Sequence, residues 1–467
     1  MTSFFFYDLE TSGFNPRSQR IMQFAGQRTD LDLQPVGEPF NILIKLTDDI
    51  LPDPDALLVT KITPQKTRSD GLSEKEFLEV FHRDIATPDT VFVGFNSIRF
   101  DDEFMRSINY RNLYDPYEWQ WKDGRSKWDM LDVVRMTRAL RPDGIKWPVS
   151  SDGVAVNRLE NIAALNDLEH EQAHDALSDV FATIGVAKLI QTMQPKLFSY
   201  LFDLRQKNKI KELLSGGVPI VYTSGRYQSE FEKTTVVAPL GEDKTGSGMY
   251  VYDLRYDPES WKPHSGDKDE YNPVKLMKYN HCPALAPISV LDSESWARIG
   301  LNLETVNNHF HNLDSKKDTI LDAQIAVEKP IAESILDLPL EQVDERIYDG
   351  FYGDQDKRLC SRIRQMQPDE LVEFNPEFVD KRLSGLYFLY KARQFPKSLL
   401  AEDREKWEQY IANRLLGGGD NSRYAKYMKR LQELAALEYL DADKRYVLEE
   451  LALYAQSVVP LDSYSVN

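Results

Sequence analysis

Phe4-Phe5-Phe6-Tyr7-Asp8-Leu9-Glu10 decides how the rest of the chain is read. Its apolar run has the texture of a buried central strand, and alternation along a strand puts Asp8 and Glu10 on one face. Burial alone gives no reason for two acids at the end of such a strand, because an unpaired ionised carboxylate is costly to desolvate. Divalent cations would offset that cost, so the stretch predicts a metal site at the end of a core strand.

Two other segments supply partners. Val91-Phe92-Val93-Gly94-Phe95 is a second apolar run, followed by Asn96-Ser97-Ile98-Arg99-Phe100-Asp101, with Asp101 where strand gives way to a helical pattern. Downstream, Ala173-His174-Asp175-Ala176-Leu177-Ser178-Asp179 opens an amphipathic helix to about Met193. Taken singly, a D-x-E is common, Asp101 is an ordinary helix cap, and a histidine ahead of a helix is a solvated or capping group. The three segments in this order are far more specific.

Together they resemble the three motifs of the DEDDh, or DnaQ-like, 3′→5′ exonucleases: Asp8, Glu10 and Thr11; Asn96, Phe100 and Asp101; His174 and Asp179. Within that superfamily, several stretches are similar to bacterial exonuclease I: Val59 to Gln65, Arg99 to Glu103, Tyr110 to Tyr117, Ala139 to Ile145, Tyr348 to Phe351 and Phe378 to Arg382. Few matching residues fall between about 215 and 345. The resemblance implies a ribonuclease H-like α/β exonuclease domain, a small SH3-like β domain and an α-helical C-terminal domain. It also implies degradation of single-stranded DNA to 5′-mononucleotides, in repair or recombination.

Phosphodiester hydrolysis must stabilise an attacking and a leaving oxygen, which two cations about 4 Å apart can do. On the superfamily pattern Asp8, Glu10, Asp101 and Asp179 are the ligands. Mg²⁺ suits such oxygen donors, and Mn²⁺ is expected to substitute. By the resemblance His174 is the general base, a role its ordinary pKa near 6.5 suits at neutral pH. Asp175 reads as a helix cap only. Glu10, Thr11, Phe14, Asn96 and Arg99 are expected to touch substrate, Phe14 as an apolar wedge near the terminal bases. Tyr110, Arg111, Tyr114, Tyr117, Arg125 and Trp128 form a weaker aromatic and basic cluster, for which a packed core is an equal reading.

Texture divides the chain into 1–195, 196–345 and 346–467. The first part alternates strands (Phe4 to Glu10, Ile21 to Thr29, Phe40 to Lys45, Val91 to Phe95) with helices (Glu74 to Ile85, Asp102 to Asn112, Trp128 to Leu140, Asp175 to Met193), an α/β pattern closed by Gln194-Pro195. Short β-type runs follow at Ile220 to Thr223, Thr234 to Val237 and Met249 to Leu254, then helical patterns, one ending at Gly417-Gly418-Gly419.

A net charge of −18 is the wrong sign for holding a polyanion through the general field, so strand binding requires a local positive track. Lys381-Arg382 and the segment from Tyr390 to Pro396 are basic against that background. Exonuclease I proteins bind the acidic, hydrophobic tail of the single-stranded DNA-binding protein, which a basic ridge with an apolar pocket would serve, and the resemblance makes Arg141 and Tyr200 candidates for such a site here. Cys282 and Cys360 have no metal-ligand spacing and fit reduced thiols. No apolar run approaches the roughly 18 residues of a membrane helix; with the reduced thiols a cytoplasmic protein is expected, and it is taken as a monomer. Two rival readings stay open: a related exonuclease acting on RNA or as a proofreader, and a nuclease-dead scaffold that binds single strands.

Overall fold

The structure is a computed structural model and describes residues 2–168, 175–263, 271–327 and 339–459. Its organising element is β1 (Ser3–Thr11), the centre of a five-stranded sheet. On one side β1 pairs antiparallel with β2 (Ile21–Thr29), which pairs with β3 (Phe40–Leu43). On the other it runs parallel to β4 (Thr90–Gly94), which pairs with β5 (Ser126–Asp129).

Alternation along β1 sorts its side chains as the pleat requires. Phe4 and Phe6 enter one core with Val91, Val93 and Trp128, while Phe5 and Tyr7 enter a second with Phe24, Phe92 and Trp119. Pairing with β4 stops at Phe6 and Val93, whereas pairing with β2 continues to Thr11. Asp8 and Glu10 therefore emerge where one flank of the strand has opened.

Helices cover both faces. After α1 to α3 (Pro54–Thr60, Pro64–Asp70, Glu74–Val80) come α4 (Asp101–Arg111), α5 (Met130–Leu140), α6 (Leu159–Leu165) and α7 (Ala176–Met193). The expected helix from Glu74 to Ile85 is α3 plus a π turn at Phe81–Ile85. The expected helix from Trp128 to Leu140 divides: Trp128 lies in β5, and the Asp129 carboxylate accepts from the Leu131 amide to start α5.

By length and composition α7 could cross a bilayer, and it is the one such helix among the described residues. Here it packs on β1 and β2, burying Val180, Ile184 and Ile190. This explains its apolar character without a membrane.

Pro195 does end the pattern of α7, but it opens α8 (Pro195–Leu204), which turns back on the sheet. Phe198 and Phe202 set their rings 5.0 and 5.3 Å from that of Trp128, so the core continues past residue 195. After α9 (Lys207–Ser215) comes an antiparallel sheet in the order β10-β6-β7-β8-β9: β6 (Ile220–Thr223), β7 (Thr234–Glu242), β8 (Gly248–Asp253), β9 (Val274–Lys278) and β10 (Ala284–Pro287). The last two strands were not read from sequence. β9 carries lysines at its second and fifth positions, and β10 ends at a proline, so neither has a clear strand pattern.

The C-terminal part is helical, with Ala401–Leu416 stopping before Gly417 and Ala442–Val458 capped by Asp441. It is held to the first sheet by a buried ionic cluster. Arg393 bonds both Asp49 (2.7 Å) and Asp344 (2.6 Å), and Arg20 reaches Asp344 at 3.3 Å. All four side chains are essentially sealed from solvent.

Candidate active site

Three elements converge at the open end of β1. The strand brings Asp8 and Glu10, α4 begins with Asp101, and α7 carries Asp179 in its first turn. One carboxylate oxygen from each of Asp8, Glu10 and Asp179 lies within 4.8 Å of the other two. Asp101 is buried, and its charge acts on Asp8.

Burial, followed by Asp101, Asp179 and Asp175, pushes the Asp8 carboxyl well above the usual carboxylate range. Burial and then Asp8, Asp179 and Asp175 raise Glu10 from the ordinary 4.5 to about 9. Burial and then Asp102 raise Asp101, with Asp129 and Glu10 adding to this. Acids that oppose one another's ionisation in a small, partly buried space form an all-oxygen donor set, and that set fits a hard divalent cation such as Mg²⁺ or Mn²⁺.

The sign of this arrangement sets a pH dependence. A carboxylate whose folded pKa is raised binds more protons folded than unfolded, so stability is lost as pH rises from the unfolded value toward the folded one. Without metal, the melting temperature is expected to fall between about pH 5 and pH 9, the window set by Glu10. Millimolar Mg²⁺ should restore most of that loss. Melting curves in EDTA and in Mg²⁺ across this range check it; a pH-independent difference between them would contradict the clustered acids.

The second set of sequence candidates lies at the margin of the same end. Thr11 is buried and its hydroxyl donates to the Gly13 carbonyl at 2.9 Å, closing the turn after β1. Phe14, on that turn, is 75% exposed and meets Phe100 edge-on at 6.5 Å. Asn96 has a left-handed backbone (φ 67°), and its amide donates to Asp129 at 2.9 Å. Arg99 reaches Ser224 at 3.4 Å, and hence the second sheet. His174 lies outside the described residues.

Asp175 precedes α7 as expected, but its side chain makes no cap bond there. It accepts from Gln23 at 3.3 Å, and its charge raises both Asp8 and Glu10. Sequence reading missed this fifth acid at the site because Asp at that position so commonly caps a helix.

Other candidates separate. Arg141 donates to the Val290 carbonyl at 2.8 Å and lies 3.8 Å from Asp292, while Tyr200 is partly buried against the large core. Tyr110 and Trp128 are core residues, and Arg111 pairs with buried Glu74 at 2.8 Å, so the packed reading holds for these three. Arg125 donates to the Ala86 and Glu118 carbonyls and pairs with Asp123 at 3.4 Å. The basic C-terminal segments are likewise structural at their arginines: Arg382 bonds Asp380 and the Arg346 and Gly350 carbonyls, and Arg393 belongs to the ionic cluster.

Known proteins match this architecture along its length. Family models describe residues 5–187 as "Exonuclease", 205–327 as "Exonuclease I SH3-like domain" and 341–458 as "Exonuclease I C-terminal domain". The exodeoxyribonuclease I of Haemophilus influenzae is 37% identical, with 97% of this chain and 98% of that protein covered. The chain belongs to the exonuclease I family. Escherichia coli exonuclease I in complex with a dA16 oligonucleotide superposes with a TM-score of 0.89 at 35% identity, over 98% of this chain and 100% of that one. A structure of SSB/Exonuclease I in complex with the inhibitor CFAM gives 0.88 at 34% identity, over 98% and 100%. Its exonuclease domain makes this a nuclease of the metal-dependent type.

Two features of this exonuclease I family member escaped the sequence. Beside the Phe14 turn, Arg17 lies 5.3 Å over the ring of Tyr348, and Phe351, 81% exposed, meets Tyr117 at 5.4 Å. Elsewhere, the guanidinium ends of Arg99 and Arg135 both approach Gly225. Arg99 also lines a narrow cleft of mixed charge with Arg226, Lys278, His281, Asp129 and Asp132. Each patch joins residues over a hundred positions apart, and no local pattern signals such a meeting.

Proposed function

We propose that this protein is a Mg²⁺-dependent 3′→5′ exodeoxyribonuclease that degrades single-stranded DNA to 5′-mononucleotides in DNA repair or recombination. The observation that carries the reading is the convergence of Asp8, Glu10 and Asp179 oxygens within 4.8 Å, with Asp101 beside them, in a chain of this family. It rests also on relatives that are exodeoxyribonuclease I along nearly their whole length.

Asp8, Glu10, Asp101 and Asp179 would hold two Mg²⁺ ions, replaceable by Mn²⁺. The ions supply Lewis-acid stabilisation of the attacking and leaving oxygens and activation of water. The chain's own residues do the rest. Glu10 and Thr11 touch substrate, Phe14 wedges near the terminal bases, and Asn96 and Arg99 reach the sugar or phosphate. His174, on its motif position, accepts the proton of the attacking water. A cytoplasmic monomer is the form we expect, with units at 1–195, 196–345 and 346–467, and with Arg141 and Tyr200 receiving the acidic tail of a single-stranded DNA-binding protein.

The −18 charge demands a local positive track, and Arg99, Arg226 and Lys278 are its candidates, in a cleft that Asp129 and Asp132 also line and beside an Arg135 already paired with Asp132 at 2.7 Å. The aromatic faces of Phe14, Tyr348 and Phe351 offer stacking surfaces. Digestion of end-labelled single strands, duplex and RNA with Mg²⁺ or EDTA tests the function; activity surviving EDTA, or equal use of RNA, would overturn it. In the same assay Phe351→Ala is expected to shorten the run per encounter against trap DNA, since a stacked base is worth about 1 to 3 kcal/mol. Trimming of a short oligonucleotide at high enzyme should persist.

A further inference from the structure

Four clustered carboxylates repel one another, so something must hold the start of α4 against β1 while the cations are away. The residue ahead of α4, Phe100, provides no side-chain cap. The contact that closes this joint lies on the far face of the strand. Tyr7, next to Asp8, donates its phenol to Asp102, next to Asp101, at 2.5 Å. Asp102 is 1% exposed, and its other oxygen accepts from Lys127 of β5 at 2.8 Å and from Gln120 at 2.7 Å. Arg106 stands 3.9 Å away, tied to Gln120 at 2.9 Å. Donors from β1, β5 and the segment before β5 thus converge on the first turn of the helix that presents Asp101. The Tyr7 ring is fixed by edge contacts with Phe92 and Trp119 at 6.2 and 6.4 Å, so its hydroxyl has a set position.

We propose that Tyr7 and Asp102 are positioning residues for the metal site, their bond setting the spacing between Asp8 and Asp101 so that cations meet a preformed cage. This rests on the nuclease reading above. The sequence places each residue of the pair beside a ligand, and alternation directs Tyr7 away from the cluster while Asp8 faces it. The pair therefore acts through the backbone of β1 and the first turn of α4, without touching substrate. Outer partners of metal ligands typically govern affinity by about 10- to 100-fold.

The test uses the full chain without DNA, titrated with Mn²⁺ by electron paramagnetic resonance, with melting curves in EDTA. Tyr7→Phe keeps the ring and removes the hydroxyl; it is expected to weaken Mn²⁺ binding about 10-fold. Its turnover should recover as Mg²⁺ is raised, with KM for DNA unchanged. Asp102→Asn should act in the same direction. Tyr454→Phe is the control, because it removes a buried phenol bond to the Ile50 carbonyl at 2.9 Å, away from the cluster. It should lower the melting temperature while leaving Mn²⁺ affinity intact. Tyr7→Phe with wild-type Mn²⁺ affinity, whatever its melting temperature, would overturn the proposal. Failure of the wild-type chain to bind Mn²⁺ would instead overturn the metal site itself, and is read on a different sample.

Discussion

Asp8→Asn is expected to lower turnover at saturating Mg²⁺ by about 10³-fold or more, since losing even one preorganised charge-stabilising group commonly costs about 10²–10³. The amide keeps the shape of the side chain but removes a full charge from a site in which Asp8, Glu10 and Asp179 stand within 4.8 Å of one another. Folding should survive, and the metal-free protein should gain. Burial and neighbouring acids raise the Asp8 pKa well above its ordinary value, so ionising it at neutral pH opposes folding until a cation arrives. The variant is therefore expected to melt higher than wild type in EDTA at pH 8 and to lose most of the Mg²⁺-induced rise. Single-turnover cleavage of a labelled oligonucleotide and paired melting curves measure both halves. Near-wild-type cleavage would remove Asp8 from the ligand set, and a lower melting temperature in EDTA would show that its charge is compensated.

The sequence revealed the parts of this molecule whose signals are local. An apolar strand ending in two acids, a strand-to-helix junction at Asp101 and the start of α7 are each written in adjacent residues, and alternation or helix periodicity turns them into geometry. Local signals also misled in describable ways. Trp128 and Asp129 were drawn into the helix that follows because a strand of four residues is too short to show its period. Asp175 was read as a cap because caps are the common use of that position. Arg382 and Arg393 left two readings open, a strand-lining surface or a solvated helix face, because sequence shows charge and hides partners; the structure pairs them with Asp380, Asp49 and Asp344. What sequence could not reveal at all was the joining of distant segments, such as Arg17 with Tyr348 or Arg99 with Gly225.

That joining also bears on how the parts depend on one another. Asp49 lies in the first unit, while Asp344, Arg393 and Arg414 lie far along the chain, and Arg414 donates to the Asp49 carbonyl at 3.1 Å. Removing one partner of a buried ion pair leaves the other uncompensated, at about 3–5 kcal/mol. The helical C-terminal part therefore stabilises the segment that follows β3, and the second sheet shares a continuous core with the first. The parts are thus packed against one another through a buried ionic cluster and a shared core.

His174→Ala is expected to lower the chemical step by roughly 10² to 10⁴ while leaving Mn²⁺ affinity almost unchanged, the signature of a lost proton acceptor as distinct from a lost ligand. The assignment comes from the resemblance of His174 and Asp179, taken with the other two motifs, to the exonuclease pattern, in which the histidine stands five residues ahead of the aspartate. An imidazole with a pKa near 6.5 is competent only once deprotonated, so the wild-type single-turnover rate should fall on the acid side of neutrality. Without the imidazole that limb should flatten, although titration of the raised carboxylates will still limit metal binding at low pH unless Mg²⁺ is kept saturating. The two effects separate because, on the proposed ligand set, added metal would compete with protons at Glu10, whose pKa is raised to about 9, but would have no effect on a missing base. Measuring the rate against pH at several Mg²⁺ concentrations therefore decides the role. A limb that persists unchanged in His174→Ala at saturating metal would make the histidine structural and move the search for the base to the remaining groups at the open end of β1.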